Sequence, residues 1–198
     1  MKKKTQAFTL LEAMVVVALI GILTAYGLPR LAGFTTNTGL TTNNNDLVTA
    51  LQFARSASIR LQDRVVVCTS SSSMQPAPVC GAVDTPWHDG WIIFHDLNDN
   101  NQYDATDEIL RVHPPVTIDG ITITPVDLAG TPTNIVNFVS FGPPAGEPTL
   151  PNGAAQSGIF RICSNADLTR QRGVLLNFSG RISSTRDQTV INSACIAL

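Results

Sequence analysis

The stretch that decides the fold reads Gln6-Ala7-Phe8-Thr9-Leu10-Leu11-Glu12 and runs on, almost without polar side chains, to Leu28. From Phe8 to Leu28 it holds one charge, Glu12, in 21 residues. As a helix that segment rises about 30 Å, the thickness of a bilayer's hydrocarbon core. Three readings compete: a secretory signal, a plain transmembrane anchor, or a short leader cut away from an anchor helix. Lys2, Lys3 and Lys4 make a basic start, and Ala25-Tyr26-Gly27 would pass for a signal cut after Gly27. Against that stands Glu12. A signal peptide has no use for an acid at the edge of its apolar run, and burying an ionised carboxylate costs several kcal/mol unless a cation meets it.

Outward from this segment the 198-residue chain is that of a folded protein, with 43% hydrophobic and 14% charged residues, too apolar for disorder. The net charge of −2 hides a split. All three lysines precede Phe8, and the chain beyond them carries ten arginines against fifteen acids. Asp84 to Asp127 holds nine acids and one arginine, whereas Arg161 onward holds five arginines against Asp167 and Asp187. Such a balance argues against a general nucleic-acid coat but leaves a local basic edge near the C-terminus.

After Pro29 comes a polar stretch, 35–45, and Asp46 is expected to cap a helix running to about Gln62. Its stripe is Leu47, Leu51, Ala54, Ser58 and Leu61, with Ala50 and Ala57 beside it; Arg55, Arg60, Asp63 and Arg64 fall off the stripe and are assigned to solvent. From Arg64 on the pattern is that of strands: 65–68, 91–95, 109–112, 116–123, 135–141, 159–163, 174–178 and a last run at Val190-Ile191. Asp119-Gly120 is read as the turn of a short hairpin, and 142–153, with its four prolines, as a surface loop. Trp87, Trp91 and Phe94 are expected in the core. The four cysteines lack zinc-ligand spacing and read as two disulfides formed outside the cytoplasm. Of three connectivities, Cys68–Cys80 and Cys163–Cys195 are preferred: the first flanks a Ser/Pro-rich loop and the second ties down the C-terminus. Loop entropy assigns them roughly 3 and 4 kcal/mol.

The lysine-rich leader followed by Ala7-Phe8-Thr9-Leu10-Leu11-Glu12, with Gly21 inside the apolar helix and Pro29 at its end, resembles the processing motif of type IV prepilins and pseudopilins. The resemblance implies cleavage between Ala7 and Phe8 by a prepilin peptidase, with Ala7 where the family usually has glycine. It further implies N-methylation of Phe8, a helix kink at Pro29, and Glu12 meeting the Phe8 amine of a neighbouring subunit. Gly90-Trp91-Ile92-Ile93-Phe94-His95-Asp96, Gly158-Ile159-Phe160-Arg161-Ile162-Cys163 and Asn177-Phe178-Ser179-Gly180-Arg181 are similar to strands of the GspH/FimT family of minor pilins and pseudopilins. The fold implied is α+β and pilin-like: leader 1–7, hydrophobic helix 8–34, and a periplasmic domain 35–198 built on an antiparallel sheet. The implied role is that of a non-catalytic minor pilin that initiates or caps a pilus, or a minor pseudopilin of type II secretion. It would sit in the inner membrane with other minor and major pilins as partners and no cofactor.

Two further motifs bear on chemistry. Asp96, Asn98, Asn100, Asp104 and Asp107 match positions one, three, five, nine and twelve of a calcium loop, but Asn101 replaces the glycine at six and Asp107 the bidentate glutamate. Asx residues fold turns without any ion, so no metal is assigned. Gly180-Arg181-Ile182-Ser183 resembles the Gly-Arg-x-Arg motif with which FimT-type members contact DNA. Ser183 stands in for the second arginine, with Arg186, Arg170 and Arg172 nearby, so DNA is the weaker alternative partner. His88, His95 and His113 are separated by strands and prolines, and neither a nucleophile elbow nor a phosphate-binding loop is present.

Overall fold

The computed structural model describes residues 10–127, 134–165, 169–187, 191 and 195, with backbone alone over 27–33. Helix α1 spans Leu10–Leu61 without a break, and nine strands are described after it: β1 Val65–Thr69, β2 Trp91–His95, β3 Glu108–His113, β4 Ile121–Val126, β5 Phe138–Gly142, β6 Glu147–Pro148, β7 Gly158–Ser164, β8 Gln171–Leu176 and β9 Ile182–Thr185. They form two antiparallel sheets, ordered β3-β2-β1-β5-β6 and β4-β7-β8-β9.

Continuity of α1 corrects the expectation that a helix starts afresh at Asp46. The polar stretch 35–45 is helical because the fold gives its side chains partners. Leu40 is buried, Asn43 bonds back to the Gly39 carbonyl, and Asn44 exchanges hydrogen bonds with Ser184 of β9. Asp46 is therefore a mid-helix residue, with its carboxylate 3.4 Å from His113 Nε2. Gly39 lets a neighbouring segment approach, since a Cβ there would lie 2.4 Å from Ile118 Cδ1. Pro29 lies within α1 rather than at its end.

The C-terminal half of α1 buries Leu40, Leu47, Leu51, Ala54 and Ala57 against both sheets. Alternation along the strands then decides which face each residue serves. Val65 and Val67 of β1 and Trp91 and Ile93 of β2 join this core, whereas Val66, Cys68, Ile92 and Phe94 form a second cluster on the outer face with Cys80, Tyr103 and Phe138. Disulfides join Cys68 to Cys80 and Cys163 to Cys195. The first holds the loop after β1 onto that outer face, and the second fastens Cys195 to β7.

Three strand expectations are corrected. The hairpin over 116–123 is absent, because Val116 donates to the His88 carbonyl and β4 pairs with β7 over its whole length. The strand over 174–178 starts earlier and stops at Leu176, leaving Phe178 in a turn, 70% exposed. Ile191 is buried without belonging to a strand, and its expected strand neighbour Val190 lies outside the described residues. The loop 142–153 contains the two-residue strand β6, whose Pro148 is buried.

Candidate functional site

The N-terminal half of α1 is a helix against which no other described residue packs. Every described residue from Leu10 to Tyr26 is exposed, including Leu10, Leu11, Met14, Val17, Ile22 and Leu23. Glu12 sits in the first turn, where a carboxylate also suits the positive end of the helix dipole. Ala7 and Phe8, and with them the leader 1–7, lie outside the described residues, as does the side chain of Pro29. Among the described residues no helix is long and apolar enough to cross a membrane.

At the opposite end of α1 the chain turns into β1 around Arg64, which the stripe pattern assigns to solvent and the fold buries. Arg64 is 8% exposed, pairs with Asp99 at 2.6 Å through Nε, and donates from one terminal nitrogen to Ser140 Oγ and the Thr149 carbonyl. One guanidinium thus ties together the end of α1, the loop 96–107, β5 and the chain after β6. The loop itself is an Asx network. Asp96 is fully buried and accepts from the backbone N–H groups of Asn100 and Asn101, while Asn98 and Asn100 both donate amide hydrogens to Asp104 Oδ2. Burial raises Asp96 above the usual carboxylate range. Hydrogen bonds from the Thr106 hydroxyl and N–H, and then from Asn98, lower Asp104 to about 2. Among the described residues no group of three His, Cys, Asp or Glu side chains is placed to hold a metal ion.

The histidines serve the fold. His95 Nε2 lies 2.9 Å from Asp63 Oδ2, and His113 stacks on Trp91 with ring centroids 3.8 Å apart. Burial works against ionisation of Asp63, but its bonds to His95 and to the Arg64 N–H outweigh it and hold the carboxyl below its ordinary value.

The candidate DNA contacts are not brought together. Arg181 closes the turn after β8, and Arg186 comes just past the far end of β9, about 16 Å away at strand spacing. Around Arg181 the turn is shaped by Arg55, whose guanidinium donates to the Ser179 carbonyl. Gly180 has φ +75°, and a Cβ there would meet the Gly146 carbonyl oxygen at 2.6 Å, so glycine is required for packing as well as conformation. Arg186 instead lies near Arg172 and Arg170. Arg172, 9% exposed, donates to the Gln171 carbonyl and to Asn37 Oδ1 of α1. Burial, then the nearby charges of Arg186 and Arg170, push its guanidinium below its ordinary value.

Residues 43–180 match the family described as Type II transport protein GspH, and residues 2–27 match the prokaryotic N-terminal methylation motif. The chain belongs to the GspH family. It is a type IV minor pilin or pseudopilin of the GspH/FimT group, with the long N-terminal helix and antiparallel sheets of the pilin fold. Two crystal forms of the type IV minor pilin FimU of Pseudomonas aeruginosa PAO1 share this fold, with TM-scores of 0.55 and 0.52. Each is 20% identical to this chain; the matches cover 83% and 80% of it and 98% of the FimU chains. No curated protein matches the sequence. Within this GspH-family chain, what sequence reasoning misses is the burial of Arg64, Asn44 and Arg172. All three are polar side chains buried by contacts between elements far apart in sequence, and no local pattern marks them.

Proposed function

We propose that the chain is a minor type IV pilin whose mature form starts at Phe8, released from Ala7 by a prepilin peptidase and N-methylated, and which helps initiate or cap a pilus by helix packing. The observation that carries this reading is the helix from Leu10 to Tyr26, apolar on every side and covered by no other described residue of its own chain, with Glu12 in its first turn. Such a surface is stable only in lipid or against other helices. In a stack of parallel helices Glu12 of one subunit meets the Phe8 amine of the next, which supplies attraction and axial register together. Pro29 gives the helix its bend between the anchor and the domain. The function is non-catalytic, and the partners are other minor and major pilins in the inner membrane, with the globular domain in the periplasm. Mass spectrometry of the mature N-terminus should find Phe8; a start at Leu28 or Met1 would sink the reading. Glu12→Ala should leave the domain folded and abolish filaments seen by electron microscopy in a strain that depends on this protein.

The second reading, a minor pseudopilin of type II secretion, is favoured by the family description that the sequence matches. It uses the same assembly device. Deleting the chain and scoring secreted enzymes against surface pili separates the two. DNA binding is the least supported role, since Arg181 and Arg186 sit at opposite ends of β9; salt-independent or absent binding by the full chain would remove it.

A further inference from the structure

The outer face of the first sheet carries a cavity that neither the core nor the assembly reading uses. It measures about 600 Å³, within the roughly 300–1,000 Å³ of small-molecule sites. Cys68 and Cys80, joined as a disulfide, and Phe138 of β5 line its base; residues 79–83 form one wall and residues 100–103 of the Asx loop the other. Both walls are fixed. Val79 donates its N–H to Ser72 Oγ, Gly81 donates to the Thr69 carbonyl, and Asp96 accepts from the N–H groups of Asn100 and Asn101. Tyr103 packs edge-on against Phe94, with ring centroids 5.5 Å apart. Asp99 and Asn101 both hold φ +58°, a left-handed backbone that is uncommon outside glycine and that clusters at ligand sites.

The chemistry of the lining selects what fits. None of its described residues is charged, so a phosphate, carboxylate or ammonium entering it would shed water without meeting a counter-charge. The sheet beneath offers no free backbone: β1 pairs with β2 on one side and β5 on the other, and the Thr69 N–H donates to the Asn137 carbonyl, so an extended peptide finds no strand edge. What remains available are side chains. Among the described residues the Gln102 carboxamide and the Tyr103 hydroxyl have no hydrogen-bond partner, and Asn101 Oδ1 lacks one while shut off from water. That is a costly state for an acceptor, and a donor in the cavity would relieve it once the amide turned inward. Asn100, by contrast, is already committed to Asp104 and to the Gln102 N–H. Val79 and Val83, both exposed, set apolar surface beside these polar groups. A ligand that suits such a lining is uncharged, carries several groups that both donate and accept, and has apolar C–H faces. A sugar ring has all of these.

We propose that this cavity is a binding site for a neutral oligosaccharide, held by Asn101, Gln102 and Tyr103 and laid against Val79 and Val83. The site lies on the domain and does not depend on how α1 is used or on which machine the subunit joins. It gives the subunit a sugar contact separate from the helix packing proposed above.

The test uses the full chain in nanodiscs of phosphatidylcholine, whose headgroups carry no sugar, titrated in a calorimeter with triacetylchitotriose, cellotriose, the acidic trisaccharide sialyllactose and blocked trialanine. At least one of the neutral trimers should bind roughly tenfold more tightly than the acidic sugar or the peptide. Gln102→Ala and Tyr103→Phe each remove one polar group and leave the packing of the sheet in place, and each should weaken that binding by about fivefold. Asn101→Gly, which suits the left-handed backbone and deletes the amide, should do the same, while Phe178→Ser in the turn after β8 should change nothing. Retention of the discs on insoluble chitin or cellulose would mark the interior of a sugar polymer as the source, and binding of the trimers without retention a free sugar or a chain end. No binding of either neutral trimer would overturn the site. So would a preference for the acidic sugar or the peptide, or binding of the neutral trimers that all the cavity variants leave unchanged.

Discussion

Residues 10–26 and residues 40–58 belong to one helix, yet the first group exposes every side chain while the second buries Leu40, Leu47, Leu51, Ala54 and Ala57 almost completely. Helical geometry is common to both, so the difference is one of partners. The second half meets two sheets made by its own chain. The first half meets no other described residue, and its apolar surface is a demand for lipid or for other subunits. On the assembly role proposed above, stability of the domain and competence for assembly fall to different turns of the same helix, and substitutions should separate them.

The largest expected effect is in the buried half. Leu51→Ala should cost about 2–5 kcal/mol in urea unfolding of the domain, monitored through Trp87 and Trp91, whereas Leu19→Ala, 54% exposed, should change it by less than about 0.5 kcal/mol. Equal losses at both sites would break the comparison. Next comes the Cys68–Cys80 disulfide: replacing both cysteines by serine should remove about 2–3 kcal/mol from the same transition and loosen the outer face of the first sheet. If the double variant melted like the parent, the loop after β1 would not depend on its tether.

Arg64→Ala should cost about 2 kcal/mol, less than a fully buried pair because Asp99 is 63% exposed, while Arg60→Ala, one turn away and solvated, should do almost nothing. Arg64→Lys should recover only part of the loss, since a lysine cannot bridge Asp99, Ser140 and Thr149 together. Full recovery would show that charge alone matters there.

The smallest effects are titrations in the loop 96–107, where neighbouring carboxyls move oppositely. Asp104, lowered to about 2, contributes stability that is complete above the unfolded carboxyl value and is lost as pH falls toward 2. Asp96, raised by burial, acts the other way, and its contribution is lost as pH rises through its folded value. Carbon-detected NMR of the side-chain carboxyls should show Asp96 titrating well above Asp104; a common midpoint would mean that the Asx network does not persist in solution.

Much of this is legible in the chain itself. The stripe Leu47, Leu51, Ala54 and Ser58, though not its expected last member Leu61, which is exposed, the strands read at 65–68, 91–95 and 159–163, and the burial of Trp87 and Trp91 come from period and side-chain type, because each is a local pattern repeated often enough to be unambiguous. Strand β9 escapes such a reading since Ile182-Ser183-Ser184-Thr185 has one apolar residue, and it forms because β8 offers an open edge. The helical state of 35–45 escapes it for the same kind of reason: its asparagines and threonines favour turns until Leu40 and Asn44 find the second sheet.

Sequence alone determined the anchor-like helix, the lone Glu12 within it, the oxidised cysteines and the α+β order, because covalent neighbours and residue chemistry suffice for these. Only the tertiary structure decided which polar residues would be buried and which distant groups would hold them. Arg64 is drawn inside by groups 35, 76 and 85 residues away, and Arg172 is held by Asn37 of α1, 135 residues away. Contacts across such separations depend on how the sheets close around α1, and that closure is a property of the whole packed domain rather than of any segment.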